Sequence, residues 1–350
     1  MDKLIFTAGL GALFAALLWW SRRLPGERWQ IAAAIPVGRA ENGRWRGVNL
    51  TFYGMFTANA VLLASALMLI MLGSLGVSPF EVMVVMLPLL SLSAPAARLV
   101  ARWVEYKPAT LTVAGAGFAA LVLAPWLTLL ARACLGRGVG EHLQVTPVLA
   151  ALVICYTLGE GLGRLACLSF GCCYGRALVA CPDWVQKVFK HWHLVFSGET
   201  KKISYESGLN GLAVVPVQML TLMVNGAAGL VSLYLFLNGA FTPALWLCLI
   251  VSGLWRAVSE TLRADYRGGG SLSAYQIMAM VGIAYGMVMS LVFPVGPAAA
   301  SPSLALGLDT LWSPTVVLCL QGLWTATLIY SGASKVTAAT IEFHVVRERI

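Results

Sequence analysis

Residues 163–175 read Gly-Arg-Leu-Ala-Cys-Leu-Ser-Phe-Gly-Cys-Cys-Tyr-Gly, and they close a strongly apolar segment that begins near Val145. If that segment crosses a bilayer, Arg164 lies at membrane depth. An arginine there costs about 2.5–3.5 kcal/mol on insertion scales, so it usually has a partner or a function. A tight run of small, thiol-bearing and glycine positions follows it. Together these features predict a polar site inside an apolar helix bundle.

The composition identifies an integral membrane protein. Of the 350 residues, 59% are hydrophobic and 11% are charged, whereas soluble domains carry about 25% charged residues. We predict an all-α, polytopic membrane fold with about nine transmembrane helices, each long enough to cross about 30 Å of hydrocarbon. The predicted helices are Leu4–Trp20, Leu50–Gly73, Phe80–Trp103, Ala109–Cys134, Val145–Phe170, Leu212–Leu237, Phe241–Leu262, Ser273–Phe293 and Leu311–Ser331.

Basic residues are unevenly distributed along this chain, which has a net charge of +9. If the apolar segments cross the membrane in turn, most lysines and arginines fall on one side, whereas Lys3, Arg132 and Arg137 fall on the other. Because basic loops stay cytoplasmic, we expect the N-terminus outside and the C-terminal tail inside. The alternative is that the basic face binds anionic headgroups on the outer side.

Three regions follow from these segments. Residues 1–48 hold a retained N-terminal anchor helix and a basic connector, and residues 294–350 add a C-terminal helix and a basic tail. Residues 49–293 form the membrane body. Within the body, residues 176–215 form an extramembrane arm, whose Trp184, Trp192 and Phe196 suit the membrane interface.

Two sets of charged residues fall on helical stripes. Glu160 precedes Arg164 by four residues, and Arg256, Glu260 and Arg263 follow one another at i, i+4 and i+7. These Arg/Glu pairs can clamp helices together. Alternatively, they leave guanidinium donors free for a phosphate, whose oxygens match the arginine fork. A further arginine, at position 98, either joins this group or extends to the membrane interface.

Short motifs between roughly Leu50 and Phe293 occur in the order found in the bacterial prolipoprotein diacylglyceryl transferases, so the chain resembles that family. None of them is specific alone, whereas their shared order is a fairly specific signal. The motifs are Phe52-Tyr53-Gly54-Met55, Ala96-Ala97-Arg98, Gly163-Arg164-Leu165 through Gly175-Arg176, Pro216-Val217-Gln218, Arg256-x-x-x-Glu260-x-x-Arg263 and Ser273-Ala274-Tyr275-Gln276.

The resemblance implies an enzyme with its helices around a lipid cavity. In that family the donor is phosphatidylglycerol, the diacylglyceryl group passes to a cysteine thiol of a lipoprotein precursor, and glycerol phosphate leaves. It implies that Arg164, Arg256 and Glu260 surround the donor phosphate, where negative charge builds up. Further substrate-binding residues are then expected at Tyr53, Arg98, Arg263, Gln218, Gln276 and Gly175.

The chain departs from the family pattern at the catalytic histidine. A His-Gly-Gly segment precedes the signature in the family, whereas the first histidine here is His142 and the matching region reads Thr112-Val113-Ala114-Gly115-Ala116-Gly117. Glu160 could replace the missing histidine as a general base. The alternative, which we favour, is that Glu160 pairs with Arg164, because buried charges need partners.

Cysteines occupy two signature positions, where Cys167 replaces an asparagine and Cys172 replaces a glutamate. With Cys173 and Cys181, and with two histidines at 191 and 193, they form a spacing that fits no familiar zinc pattern. We therefore expect small packing residues and no metal or other cofactor. A metal site, or thiol chemistry at Cys167, Cys172 and Cys173, remains as an alternative.

The residues and the resemblance predict a multi-pass transferase of the bacterial inner membrane that acts on a phosphatidylglycerol-like phospholipid. Its acceptor is unknown, and a protein cysteine is one candidate. No nucleic-acid partner is expected. One alternative is a different group transfer on a lipid of the cytoplasmic leaflet. Another is a lipid-binding or transport protein without catalysis.

Overall fold

The structure is a computed structural model that describes residues 1–39, 41, 45–105, 113–136, 140–265, 272–296, 301–334 and 348. Some sequence predictions fall outside these residues. They concern the start of the fourth predicted helix at 109–112, the basic C-terminal tail, and the side assigned to Arg44, Lys107, Arg137, Arg267, Lys335, Arg347 and Arg349.

Helices dominate the described residues, and nine of them are long and apolar enough to cross a membrane, which confirms the predicted fold class. Their predicted ends mostly agree with the structure to within a few residues. The largest difference is at Val217, where the helix begins later than predicted. The helices are α1 (Asp2–Ser21), α2 (Phe52–Gly73), α3 (Pro79–Val100), α4 (Val113–Leu135), α5 (Val145–Phe170), α6 (Asp183–Phe189), α7 (Lys202–Ser207), α8 (Val217–Leu237), α9 (Phe241–Leu262), α10 (Ala274–Val292), α11 (Leu304–Asp309) and α12 (Pro314–Gly332).

The central element is α5, which packs against α2, α4, α8 and α9. In its most apolar stretch 78% of the residues are buried inside the protein, compared with 11% for α1 and for α12. Glycines allow this close packing. A Cβ atom on Gly161 would lie 3.3 Å from the Cβ of Asn225 on α8, and one on Gly159 would lie 3.2 Å from the Cβ of Ala64 on α2. Charged side chains on α5 are therefore held among other helices.

Short strands join the two ends of the described chain. Strand β1 (Ile31–Arg39) pairs antiparallel with β2 (Trp45–Thr51), and β2 pairs antiparallel with β5 (Ala333–Ser334). The hairpin was not predicted, since Ile31–Arg39 is rich in alanine and carries a proline, both unfavourable in strands. Nearby, Gly54 of α2 contacts Gly332 of α12, where an added Cβ would lie 2.2 Å from the Gly332 Cα.

The arm at residues 176–215 is a folded cap over the ends of α5 and α9. It holds α6, α7 and the two-residue strands β3 (Leu194–Val195) and β4 (Ala213–Val214). The Arg176 amide donates to the Leu262 carbonyl oxygen at 2.9 Å. Trp184 is exposed as expected, but Phe196 is fully buried. The interfacial role predicted for Phe196 is therefore wrong, because this ring packs in the main hydrophobic core of the protein.

A buried lysine attaches this cap to the membrane body. Lys201 is fully buried, and its Nζ donates to the carbonyl oxygen of Ser169 at 2.6 Å and to that of Leu24 at 3.4 Å. Burial lowers the pKa of Lys201 to about 8, and Glu27 opposes this shift. The end of α5, the N-terminal connector and the arm thus meet at one ammonium group.

Candidate functional site

The carboxylate of Glu160 on α5 is the centre of the charged site. Arg164, one turn later on α5, and Arg256 on α9 both hydrogen-bond to its Oε1 atom. From α8, the Nδ2 of Asn225 donates to the other oxygen at 3.3 Å. The exposed fractions of the Glu160, Arg164 and Arg256 side chains are 7%, 13% and 15%. Three helices therefore bring two guanidiniums together on one buried anion.

A second ion pair lies just beyond this group. Arg263 follows the end of α9 and donates from Nε and Nη2 to the two carboxylate oxygens of Asp265, at 2.8 and 2.6 Å. Its Nη1 lies 3.6 Å from Oε1 of Glu260. This bidentate geometry fixes the guanidinium plane.

The partner predicted for Arg256 was wrong. The i, i+4 spacing suggested an Arg256–Glu260 pair, but within the described residues no ion pair joins the two, and Glu260 faces Arg263 instead. The physical reason is the packing of α9 against α5, which places Glu160 between the two arginines. Tyr156, one turn before Glu160, also lies within hydrogen-bonding reach of Arg256.

The guanidiniums of Arg164, Arg256 and Arg263 line one small polar cavity of about 10 Å³. This is close to the space that one water molecule needs. Its other lining residues include Thr221, Asn225, Trp255 and Ser259. Arg164 and Arg256, which were predicted to surround a donor phosphate, thus line the same cavity. A lipid phosphate needs more room and can enter only if side chains move.

A larger, mainly apolar cavity of about 110 Å³ lies between α4, α5, α9 and α10. Its polar end is formed by Glu160 and Arg256. Glycines keep it lined by small atoms: a Cβ on Gly253 would lie 2.7 Å from Ile283. An apolar pocket that ends at two charged groups matches the two parts of a phospholipid.

Three of the candidate cysteines meet at the end of α5. The sulfur atoms of Cys167, Cys172 and Cys173 all lie within 4.8 Å of one another, and we call them the thiol cluster. Hydrogen bonds with its two neighbours, followed by burial, raise the pKa of Cys172. The remaining cysteine of the sequence pattern, Cys181, lies apart in the arm, where its Sγ donates to the Ala177 carbonyl oxygen.

Tyr53 connects the thiol cluster with the charged site. It lies in the first turn of α2, and the centroid of its ring is 5.6 Å from that of Phe170. It interacts electrostatically with all three cysteines and with Arg164. The entry of α2 and the end of α5 therefore bring together residues predicted from separate motifs.

Gln218 and Gly175 lie beside the thiol cluster. The Nε2 of Gln218 donates to the Cys172 carbonyl oxygen at 2.9 Å, and the side chain is fully buried. Gly175 forms a β-bridge with Arg263, and an added Cβ would lie 2.2 Å from the Val215 carbonyl oxygen. The backbone segments at Gly175 and Val215 approach too closely for a side chain, which explains why position 175 is glycine.

Two other predicted substrate-binding residues make structural contacts away from the charged centre. Gln276 completes the capping box of α10 with Ser273 and donates to the Ala257 carbonyl oxygen at 2.9 Å. Arg98 is exposed near the end of α3 and lies 3.4 Å from the Tyr330 hydroxyl of α12. It extends along the surface, the alternative considered from the sequence.

Sequence reasoning missed Asn225 and Asp265, which support the charged site. Asn225 is a polar residue inside the apolar segment 217–237, and that contrast could have singled it out. Asp265 lies two residues after Arg263, outside helical spacing, so the i, i+4 rule gave no signal for the pair.

The sequence model of the prolipoprotein diacylglyceryl transferases matches residues 44–292, a range that includes the charged site, the thiol cluster and the arm. Among curated proteins, nothing matches. Because the matched range runs from the hairpin to the last residue of α10, the chain belongs to the prolipoprotein diacylglyceryl transferase family.

Proposed function

We propose that the protein is a multi-pass enzyme of the bacterial inner membrane that transfers the diacylglyceryl group of a phosphatidylglycerol-like lipid to a thiol. The observation that carries the proposal is the Glu160–Arg256 ion pair at the polar end of an apolar cavity, with Arg164 bound to the same carboxylate. Once the side chains around the small polar cavity move apart, this arrangement can bind an anionic headgroup and an acyl chain side by side.

Unused hydrogen-bonding capacity in the charged site supports phosphate binding. The Nε of Arg164 is buried and has no hydrogen-bond partner in the described part of the chain. A buried donor without a partner costs roughly 1–3 kcal/mol, and a phosphate oxygen can remove that cost. An arginine can serve a carboxylate and a phosphate at once, because its guanidinium carries five donors.

The proposed chemistry is a displacement at carbon. The acceptor sulfur, as a thiolate, attacks the glyceryl carbon that carries the phosphate, the C–O bond breaks, and glycerol phosphate leaves with the electron pair. Arg164 and Arg256 stabilise the negative charge that develops on the leaving phosphate. Glu160 holds the two guanidiniums together and is a positioning residue in this proposal.

The test uses the purified full chain in vesicles of phosphatidylglycerol that is labelled in its headgroup glycerol, with a cysteine-containing lipoprotein-signal peptide as acceptor. We expect release of labelled glycerol phosphate and a diacylglyceryl mass increase on the peptide. Arg256→Ala should abolish both signals, whereas Arg132→Ala, at an exposed position, should not. Lipid redistribution between leaflets without glycerol phosphate release would contradict the proposal and support a transport protein.

A second candidate is group transfer to a different acceptor on the cytoplasmic side. It is favoured by the basic arm next to the thiol cluster, where Lys202 interacts electrostatically with Cys172 and Cys173. Basic segments stay cytoplasmic, and a secreted precursor would not meet the site there. In the same assay, glycerol phosphate release with a small soluble thiol, but without modification of the peptide, would favour this candidate.

A further inference from the structure

The spacing of the thiol cluster fits a shared metal ligand set. Zinc–sulfur bonds of about 2.3 Å place the sulfurs of a tetrahedral site roughly 3.8 Å apart, whereas a disulfide joins two sulfurs at about 2.05 Å. The sulfurs of Cys167, Cys172 and Cys173 lie within 4.8 Å of one another, and none of these three cysteines forms a disulfide. A disulfide joins two sulfurs, so it would leave the third sulfur of this cluster without a partner bond.

The local backbone produces this cluster. Cys167 lies in the last turn of α5, and its carbonyl oxygen accepts hydrogen bonds from the amides of Gly171 and Cys172, at 2.8 and 3.1 Å. Gly171, with φ 73°, ends the helix in the left-handed conformation, and Cys173 follows with φ 55°. The chain therefore turns back on itself, and the thiols of Cys172 and Cys173 return to Cys167.

A buried polar side chain and three cations surround the cluster. The Oε1 of fully buried Gln218 has no hydrogen-bond partner among the described residues, while its Nε2 holds the Cys172 carbonyl oxygen. Hydrogen bonds of this kind, made to residues that bind a metal, orient those residues. Arg164, Arg263 and Lys202 interact electrostatically with cysteines of the cluster. Three thiolates and a divalent ion carry a net charge of −1, which these cations complement.

We propose that Cys167, Cys172 and Cys173 bind a thiophilic divalent ion, Zn²⁺, and that its fourth coordination position accepts the thiol that is to be modified. Soft thiolate ligands select such ions, and a site with three protein ligands leaves one position open. Within the described residues, these cysteines are the one group whose ligand atoms are close enough for a metal.

The catalytic part of this inference rests on the proposed function. The acceptor thiol binds the ion as a thiolate and releases its proton to water. Its sulfur then attacks the glyceryl carbon, and the C–O bond electrons leave with glycerol phosphate. The ion thus supplies the activation of the acceptor thiol in this step. Tyr53 interacts electrostatically with the three cysteines and with Arg164 of the charged site.

The direct test uses Co²⁺ as a spectroscopic probe on the purified full chain. We expect one Co²⁺ per protein, sulfur-to-metal charge-transfer absorption, and a spectral change when a cysteine-containing peptide is added. Serine variants of Cys167, Cys172 and Cys173 should each lower metal affinity by at least about 100-fold, because outer-shell changes alone cost about 10–100-fold. Cys181→Ser is the matched control, since that thiol lies outside the cluster.

If the serine variants fail to fold, a measurement on the unsubstituted chain still tests the metal site. Zn²⁺ should slow alkylation of the three clustered cysteines, as measured by peptide mass mapping. Alkylation of Cys134 and Cys319, which are exposed elsewhere, should be unaffected. Equal alkylation with and without Zn²⁺ would overturn the site. An unchanged Co²⁺ spectrum after peptide addition would overturn the open position.

Measuring both diacylglyceryl transfer and metal binding distinguishes failure of the metal proposal from failure of the proposed function. Diacylglyceryl transfer by a protein without bound metal would refute the catalytic role of the metal and keep the proposed function. Metal and peptide binding with no glycerol phosphate release under any lipid condition would refute the proposed function and support the site.

Discussion

Arg256 on α9 hydrogen-bonds to the carboxylate of Glu160 on α5, 96 residues earlier in the chain. This contact places a second guanidinium beside that of Arg164, which binds the same oxygen. A carboxylate thus concentrates positive charge at one buried point, next to an apolar cavity. Two arginines without this anion would repel each other in a region of low dielectric constant.

We predict that Arg164→Ala and Arg256→Ala each lower diacylglyceryl transfer by at least about 100-fold, the effect of removing one stabilising donor from a developing anion. Both variants should keep the helical fold, since the remaining arginine still pairs with Glu160. The measurement is glycerol phosphate release in phosphatidylglycerol vesicles, with circular dichroism as the folding check. Near-normal rates in both variants would rule out a phosphate site here.

Glu160→Gln distinguishes a positioning carboxylate from a general base. The amide still accepts a hydrogen bond from an arginine, so we expect kcat to fall about 10-fold and KM for the lipid to change, with an unaltered pH profile. A general base would show a larger loss and a lost pH dependence. The pH–rate profile of variant and parent, measured side by side, decides between these roles.

Filling the apolar cavity should weaken lipid binding specifically. Ala279 of α10 lines this cavity, and Ala279→Phe should raise KM for the lipid donor several-fold while kcat changes little. Met280→Phe is the matched control, because Met280 is 50% exposed on the same helix. Equal effects of the two substitutions would indicate general damage to α10 rather than a lipid site.

Lys201 predicts a pH effect on stability. Its pKa is about 8 in the fold, below its ordinary value of 10.5, so the native state binds fewer protons than the unfolded chain between these values. The contribution of Lys201 to stability is therefore complete above pH 10.5 and falls as the pH drops through 8. The Tm of the parent, measured relative to that of Lys201→Met, should therefore rise from pH 7.5 to 9.5. A constant difference would show that the ammonium group does not titrate in this range.

Cysteine labelling tests the orientation. Ser197 is exposed in the arm, and Ser197→Cys in a background lacking the exposed Cys134 and Cys319 adds one exposed thiol. The same background without Ser197→Cys is the control for reaction at the partly buried cysteines. From the basic loops we expect no reaction with an impermeant reagent in intact cells and reaction after permeabilisation. Labelling of intact cells would place the arm outside, where a secreted lipoprotein precursor can reach it.

The sequence alone predicted the helices well, because apolar length is a local property. The ends predicted for Val145–Phe170 and Phe241–Leu262 are those of α5 and α9. The partner of Arg256 could not be predicted, since it depends on how these two helices pack. The thiol cluster was hidden for a similar reason: its spacing matches no metal motif until Gly171 turns the chain back. Gln276 was assigned to substrate because a motif match does not reveal a capping role.

Pairing of β2 with β5 has a consequence for biosynthesis. Residues 49 and 50 pair with residues 334 and 333, and the Thr51 hydroxyl donates to the Gly332 carbonyl oxygen at 3.2 Å. While the intervening helices are being inserted, the free edge of β2 has no pairing partner and is open to wrong contacts. The sheet can close only after α12 has crossed the membrane. Chains interrupted before that helix should therefore leave the translocon with an unpaired strand edge and become preferred targets for quality-control proteases.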